Sequence, residues 1–294
     1  MMAEPEVPFF LKYMPMKVKL TSLGRAKLPA FLGSTLRGVI GQALQEDSGA
    51  YNYIYNNRAL NGNTQDVANP YVIIPPESEK DIYPEGEKLN FQILLLGEAV
   101  QYAQQLVNAI KGIGELGLGA LRYPFKLEKI THGLDQRVIW EDGSFYEISV
   151  RSEVLPCYYL PEVRRLRIHM LTPLRIRRNG ELLDKLDFPT IIRNITRRME
   201  MITGRYGGWS DKTEAGRIRT LSQDVSTVKE RLESVSMERY SNRLGKKMDF
   251  DGLMGDIWFE GEITPFIPWL FAAQILHIGR NTTFGMGRIQ VEFI

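Results

Sequence analysis

Cysteine occurs once, at Cys157, which excludes an intrachain disulfide and a thiolate-built zinc site. Histidine is almost as scarce, with three in the chain, at His132, His169 and His277. No long uninterrupted apolar run and no basic-plus-apolar leader is present, which argues against membrane spanning and secretion. Together with the single thiol this points to a reducing cytoplasm. Charge of one sign is also lacking. Lys and Arg number 37 against 35 Asp and Glu, leaving +2. A surface for nucleic acid therefore has to come from local segregation of charge. What is present is ordinary for a globular protein: 294 residues, 44% hydrophobic and 24% charged. That length buries a large core and suggests about two domains.

The first half alternates between two periodicities. Phe9 to Leu20 reads as a strand, with Met14, Met16, Val18 and Leu20 against Lys17 and Lys19. Phe31 to Gln45 carries Leu32, Leu36, Val39, Ile40, Ala43 and Leu44 at helical spacing, with Gly33, Gly38 and Gly41 suited to close packing. Tyr71–Ile74 and Lys88–Leu96 read as strands, Glu98–Ile113 as a helix and Phe125–Thr131 as a closing strand. The polar stretch 61–69 reads as a loop. Strand, helix, strand, strand, helix, strand is the ferredoxin-like order. Gly112, Gly114 and Gly117 match G-x-G-x-x-G, but after a helix and before a strand. A dinucleotide fingerprint needs the reverse context, so a nucleotide cofactor is not expected.

The second half starts after a connection in which Asp142-Gly143 signals a hairpin. Val163–Arg178 holds Arg164, Arg165, Arg167, Arg175, Arg177, Arg178 and His169 without one acidic residue. On a strand, Arg165, Arg167 and His169 share a face. A solvated strand face is the bland explanation; the lack of local counter-charge favours a phosphate-facing one. Asp187 and Pro189 open a helix with Ile191, Ile192, Ile195, Met199 and Ile202 on one side, ending near Gly204. The stretch 212–233 is polar and unassigned. Residues 237–242 and 256–263 are expected to pair as a hairpin, and 266–275 to form a helix. The fold class is thus α+β, two tandem ferredoxin-like domains over residues 1–135 and 136–294 with a cleft between them.

Leu276 to Ile294 is the most distinctive stretch. Gly279, Gly285 and Gly287 surround Arg280, Asn281, Thr282 and Thr283, and Arg288 leads into an alternating strand. Glycines permit positive φ and close backbone approach. Amides, hydroxyls and guanidinium groups around such a loop suit a phosphate chain. His277 stands at its mouth. No compact carboxylate or histidine cluster suits a divalent ion.

The segments FLGSTLRGVIGQAL, NPYVIIPP, GELGLGALRYPFKLEKI, GDIWFEGEITPFIPWL and HIGRNTTFGMGRIQV together resemble the CRISPR-associated endoribonucleases that process precursor CRISPR RNA, within the RAMP superfamily. The resemblance spans nearly the whole chain, and the glycine loop is its most specific part. It implies tandem ferredoxin-like folds, no cofactor, and metal-independent cleavage of repeat RNA by 2′-hydroxyl attack. Its implied partners are repeat RNA and subunits of an interference complex, with the protein a monomer or homodimer. Many such proteins carry a catalytic histidine after the first helix. Here that region, Ser48–Arg58, offers Tyr51, Tyr53, Tyr55 and Arg58 instead. His277 is therefore the first candidate acid or base, with Tyr53 or Tyr55 auxiliary and Arg280 stabilising phosphate. Gly279, Arg280, Asn281, Thr282, Thr283, Gly285, Gly287 and Arg288 are the expected RNA contacts. A basic track of Arg165, Arg167, His169, Arg175 and Arg177 extends them. The alternative from the same resemblance is a non-cleaving RNA-binding subunit. A small-molecule enzyme of ferredoxin-like fold has little support.

Overall fold

The structure, a computed structural model, describes residues 7–56, 68–78, 80–241 and 246–294. Arg58 and most of the polar stretch 61–69 lie outside the described residues. Two compact units emerge, one of Lys12–Val154 and one joining, among the described residues, 7–11 to Leu155–Ile294. No helix among the described residues is long and apolar enough to cross a membrane.

In the first unit, β1 (Lys12–Ser22) is central. It pairs antiparallel with β3 (Lys88–Leu96) and β4 (Phe125–His132), and β3 pairs with β2 (Tyr71–Ile74). The spatial order β2-β3-β1-β4 is that of the ferredoxin-like fold. Alternation decides the faces: Met14, Met16, Val18 and Leu20 are buried, while Lys17 and Lys19 are exposed. The buried face lies against α1 (Gly33–Ala43) and α3 (Ala103–Lys111), between which comes the short α2 (Ser48–Ile54). Gly41 has a local reason to be glycine. A Cβ there would stand 2.5 Å from a ring carbon of Tyr55, so the tyrosine lies directly on the helix.

Asp142-Gly143 forms the expected turn, with φ of 46° and 84°, between β5 (Val138–Glu141) and β6 (Ser144–Phe145). These strands extend the same sheet, and β7 (Glu153–Val154) pairs back onto β1. The unit therefore runs to Val154, whereas the sequence places the boundary at 135/136. Short chain-distant pairings of this kind leave no periodic signal.

The second unit repeats the order. Its sheet is β9 (Ser226–Val235), β10 (Gly252–Glu260), β8 (Arg165–Leu174) and β11 (Ile289–Phe293), all antiparallel. Two helices, α4 (Phe188–Tyr206) and α6 (Ile267–Leu276), pack together, and Phe188 meets Phe259 at 5.1 Å and Phe266 at 4.8 Å. Burying each such ring is worth roughly 1.5–3 kcal/mol. Asp187 caps α4 through Thr190 N at 2.7 Å, a contact worth about 1 kcal/mol. The helix runs past Gly204 to Gly207, whose φ is 83°. Phe9 packs edge-on against buried Trp269 at 5.2 Å, and Phe9–Phe10 pairs with Trp209–Ser210. That contact ties the residues before Lys12 to the second unit.

One expectation is corrected here. The partner of β10 is β9, not residues 237–242, which instead pair as 238–241 with 246–249. The stretch 212–233, unassigned from sequence, holds α5 (Lys212–Leu221) and most of β9. β9 is an edge strand with nearly every side chain exposed, so it lacks the apolar alternation that marks a strand in sequence.

Candidate nucleic-acid interface

The glycine loop is a packed structure. From α6 the chain crosses to β11 while bonding to residues 172–175 of β8 and its end. Arg280 N donates to Arg175 O at 2.8 Å, Gly287 N to Pro173 O at 3.0 Å and Thr172 Oγ1 to Gly285 O at 2.8 Å. Gly279 and Gly287 have φ of 77° and 69°. A Cβ on Gly279 would stand 2.5 Å from Arg175 O, and one on Gly287 would overlap the carbonyl of Ile278. These two glycines therefore serve close approach of the protein's own backbone. Asn281 and Gly285 also take left-handed φ, at 63° and 88°. Thr282 and Thr283 are buried, while Arg280 is exposed and Arg288 half-buried. The side chains that this loop offers to a ligand are thus its two arginines and Asn281.

His277 does not stand open at the mouth of the loop. It caps α6 with φ of 56° and no exposed surface. Its Nδ1–H donates to Met286 O at 3.2 Å, and Nε2 has no partner among the described residues. Arg198, also buried, donates Nε to Leu276 O at 2.9 Å. Burial, then the charges of Arg198 and Arg288, push His277 down to about 3. The ring is neutral at pH 7 and braces the helix end against the loop. His132 is equally buried at the end of β4.

Arg165, Arg167 and His169 do share the open face of the second sheet. Their counter-charges come from neighbouring strands: Arg165 meets Glu260 at 3.0 Å, and Arg167 meets Asp256 at 2.7 Å and Glu292 at 3.3 Å. The inference of missing compensation from the local sequence is corrected by register, which sets Glu260 and Glu292 directly across from Arg165 and Arg167. His169, 39% exposed at its side chain, holds Asp256 Oδ1 through Nδ1 at 2.9 Å. Hydrogen bonds from Arg167 and then His169 hold the Asp256 carboxyl below its usual range. A hollow of about 70 Å³ beside them is lined by Arg167, His169, Gln290 and Glu292. His169 is the one histidine with a ring open to solvent, oriented by a carboxylate and next to a guanidinium. Arg177 is exposed. Arg175 leaves the track: it is 3% exposed, reaches the carbonyl of Asp251 and lies 5.9 Å from the Phe250 ring.

The tyrosines belong to the first unit. Tyr53 packs on Tyr102 at 5.1 Å, and burial followed by the nearby Glu98 pushes its phenol up to about 12. Tyr55 stacks on Tyr71 at 4.8 Å, with the Arg37 guanidinium 5.2 Å from its ring. Burial first, then Tyr71, raises its phenol well above the usual value. Both phenols stay protonated at neutral pH and are donors. Sequence reasoning missed Asp256 and Trp258, whose importance depends on which strands flank β10.

Comparison with known proteins follows the same division. Residues 168–289 match the family model of the CRISPR-associated endoribonuclease Cas6, and residues 11–153 match a model described as an N-terminal domain. The family met in the comparisons is the one the sequence resembles. No curated protein matches. Among solved structures, a partial Cas6-RT-Cas1–Cas2 complex is similar over 98% of this chain at 14% identity, with a TM-score of 0.62. This chain spans 47% of that one. A Thermus thermophilus Cas6 is similar over 96% of this chain and 99% of its own, at 12% identity and a TM-score of 0.58. A RAMP protein described as binding different RNA substrates covers 96% and 99%, at 12% and 0.51. These likenesses establish the tandem ferredoxin-like fold.

Proposed function

We propose, for a chain whose residues 168–289 match the Cas6 endoribonuclease family model, that it cleaves CRISPR repeat RNA within precursor transcripts. The match of residues 168–289 carries this reading. The chemistry is metal-independent. The 2′-hydroxyl oxygen bonds to the adjacent phosphorus, the 5′-oxygen departs, and the ends are a 2′,3′-cyclic phosphate and a 5′-hydroxyl. Such a reaction needs a base for the 2′ proton, an acid for the leaving oxygen and cations for the developing charge.

His169 is the histidine suited to proton transfer. With Nδ1 engaged by Asp256 at 2.9 Å, Nε2 is the nitrogen left to take the 2′ proton, and Arg167 neutralises phosphate charge beside it. His277 supports the loop from within, through its bond to Met286. Arg280, Asn281 and Arg288 grip the RNA backbone, and Arg165 and Arg177 extend the grip.

The test is incubation of the protein in excess EDTA with repeat RNA from its own locus, alongside RNA with a 2′-deoxy substitution at the cut. Cleavage of the first alone, with a cyclic-phosphate end, is expected. His169→Ala should cut at least about 100-fold more slowly while retaining RNA affinity. Unchanged cleavage in that variant removes His169 from the chemistry. The burial of His132 and His277 favours a second reading, a non-cleaving crRNA-binding subunit. Tight binding with no cleavage by the unmodified protein would establish it.

A further inference from the structure

The open face of the second sheet has one aromatic feature that the cleavage chemistry does not use. Trp258, half-buried on β10, lies between Arg167 on β8 and Lys229 on β9, its direct cross-strand partners. The Lys229 ammonium is 4.6 Å from an indole ring centroid, the Arg167 guanidinium 5.5 Å and that of Arg231 6.0 Å. Arg167 is held by Asp256 and Glu292, but Lys229 and Arg231 make no ion pair among the described residues. A register shift between Thr227 and Lys229 brings Lys229 opposite Trp258 and Arg231 opposite Asp256.

Three cations around one indole is an arrangement that the ring only partly compensates, at about 0.5–1 kcal/mol per exposed contact. An anion resting on Lys229 and Arg231 would relieve their repulsion. A flat, aromatic group would lie on the indole, and the hollow beside Arg167, His169, Gln290 and Glu292 supplies donors and acceptors at its edge. An unpaired nucleotide has all three parts: phosphate, π-face and polar edge. A base inside a duplex has its faces stacked and cannot use the indole.

We propose that Trp258, Lys229 and Arg231 form a stacking subsite for an unpaired nucleotide of single-stranded RNA. This rests on the RNA reading above and adds where an unpaired segment is held. The base lies on Trp258, its edge points to the hollow, and its phosphate sits toward β9. Single-stranded RNA crosses this sheet from the β9 edge toward β11.

The experiment measures binding of the full chain to fluorescein-labelled repeat RNA from its own locus, as a single strand and annealed to its complement. Trp258→Ala should weaken single-strand binding about tenfold, and Trp258→Phe less than about threefold. The duplex should be little affected by either. Lys229→Gln with Arg231→Gln should reduce the slope of log affinity against log salt by about one to two. Unchanged affinity and slope in all these variants, with melting temperatures intact, overturns the subsite and leaves the RNA reading standing. Failure of the unmodified protein to bind either RNA overturns both. Should Trp258→Ala not fold, photocrosslinking of the unmodified protein to a 5-iodouridine single strand decides the matter. A crosslink in the Trp258 peptide is expected; crosslinks confined to other peptides overturn the proposal.

Discussion

Each unit crosses from its second major helix to its fourth strand through glycines, and the two crossings differ in what surrounds them. In the first unit, Gly112 ends α3, a short helical turn follows over Ile113–Leu116, and Gly117 turns with φ of 70° against the backbone of Arg122. In the second, Gly279 and Gly287 press against Arg175 and Ile278. In both, positive-φ glycines solve the same problem, two backbones closer than a Cβ allows. The difference lies in side chains. The first crossing includes Glu115. The second has Arg280 and Arg288 and no acid between Leu276 and Ile289. A glycine signature is therefore evidence of packing, and the cations beside it are what point to phosphate.

Substituting the glycines should produce the largest effects. Gly287→Ala and Gly117→Ala each place a Cβ into backbone at positive φ, and each should cost at least about 3 kcal/mol. Thermal melting measures this, and an unchanged melting temperature would break the packing account. The next prediction concerns His277. Above its ordinary value of 6.5 the ring is neutral folded and unfolded. Between about 6.5 and 3 the unfolded chain binds a proton that the folded chain refuses, so stability falls as pH drops. The slope reaches about 1.4 kcal/mol per pH unit, and His277→Asn should remove it. Asparagine tolerates the φ of 56°. Denaturant titrations from pH 4 to 7 compare the two.

Smaller effects separate the crossings by function. Arg280→Gln and Arg288→Gln should each weaken repeat-RNA binding about threefold and flatten its salt dependence, while Arg122→Gln in the first crossing should do neither. Equal effects on both sides would abolish the distinction. The smallest prediction is a control on glycine itself. Gly38, inside α1, has nothing within 4 Å of a built Cβ and no positive φ. Gly38→Ala should stabilise the first unit by about 0.5–1 kcal/mol, the opposite sign to Gly117→Ala.

Much of the fold was legible because its central strands have two unlike faces. Lys88–Leu96, between β1 and β2, appears as read, as does the short apolar edge strand Tyr71–Ile74, and the Asp187 cap and the Asp142-Gly143 turn lie where their chemistry demands. β9 was illegible because an edge strand with exposed side chains has no buried face to mark it. The site was legible only in part for a related reason. Arg165, Arg167 and His169 were correctly placed on one face, but Glu260, Asp256 and Glu292, their partners, are about 90 to 125 residues away.

Sequence by itself determined the ferredoxin-like order of the first unit, the left-handed turns at glycine and the shared face of the arginines, since each follows from local periodicity or from the φ a residue can adopt. Tertiary structure alone decided which charges are neutralised, that His277 is sealed inside a helix end while His169 faces solvent, and that three cations gather at Trp258. Burial and cross-strand neighbours set those properties, and both depend on sheet register between distant segments of the chain.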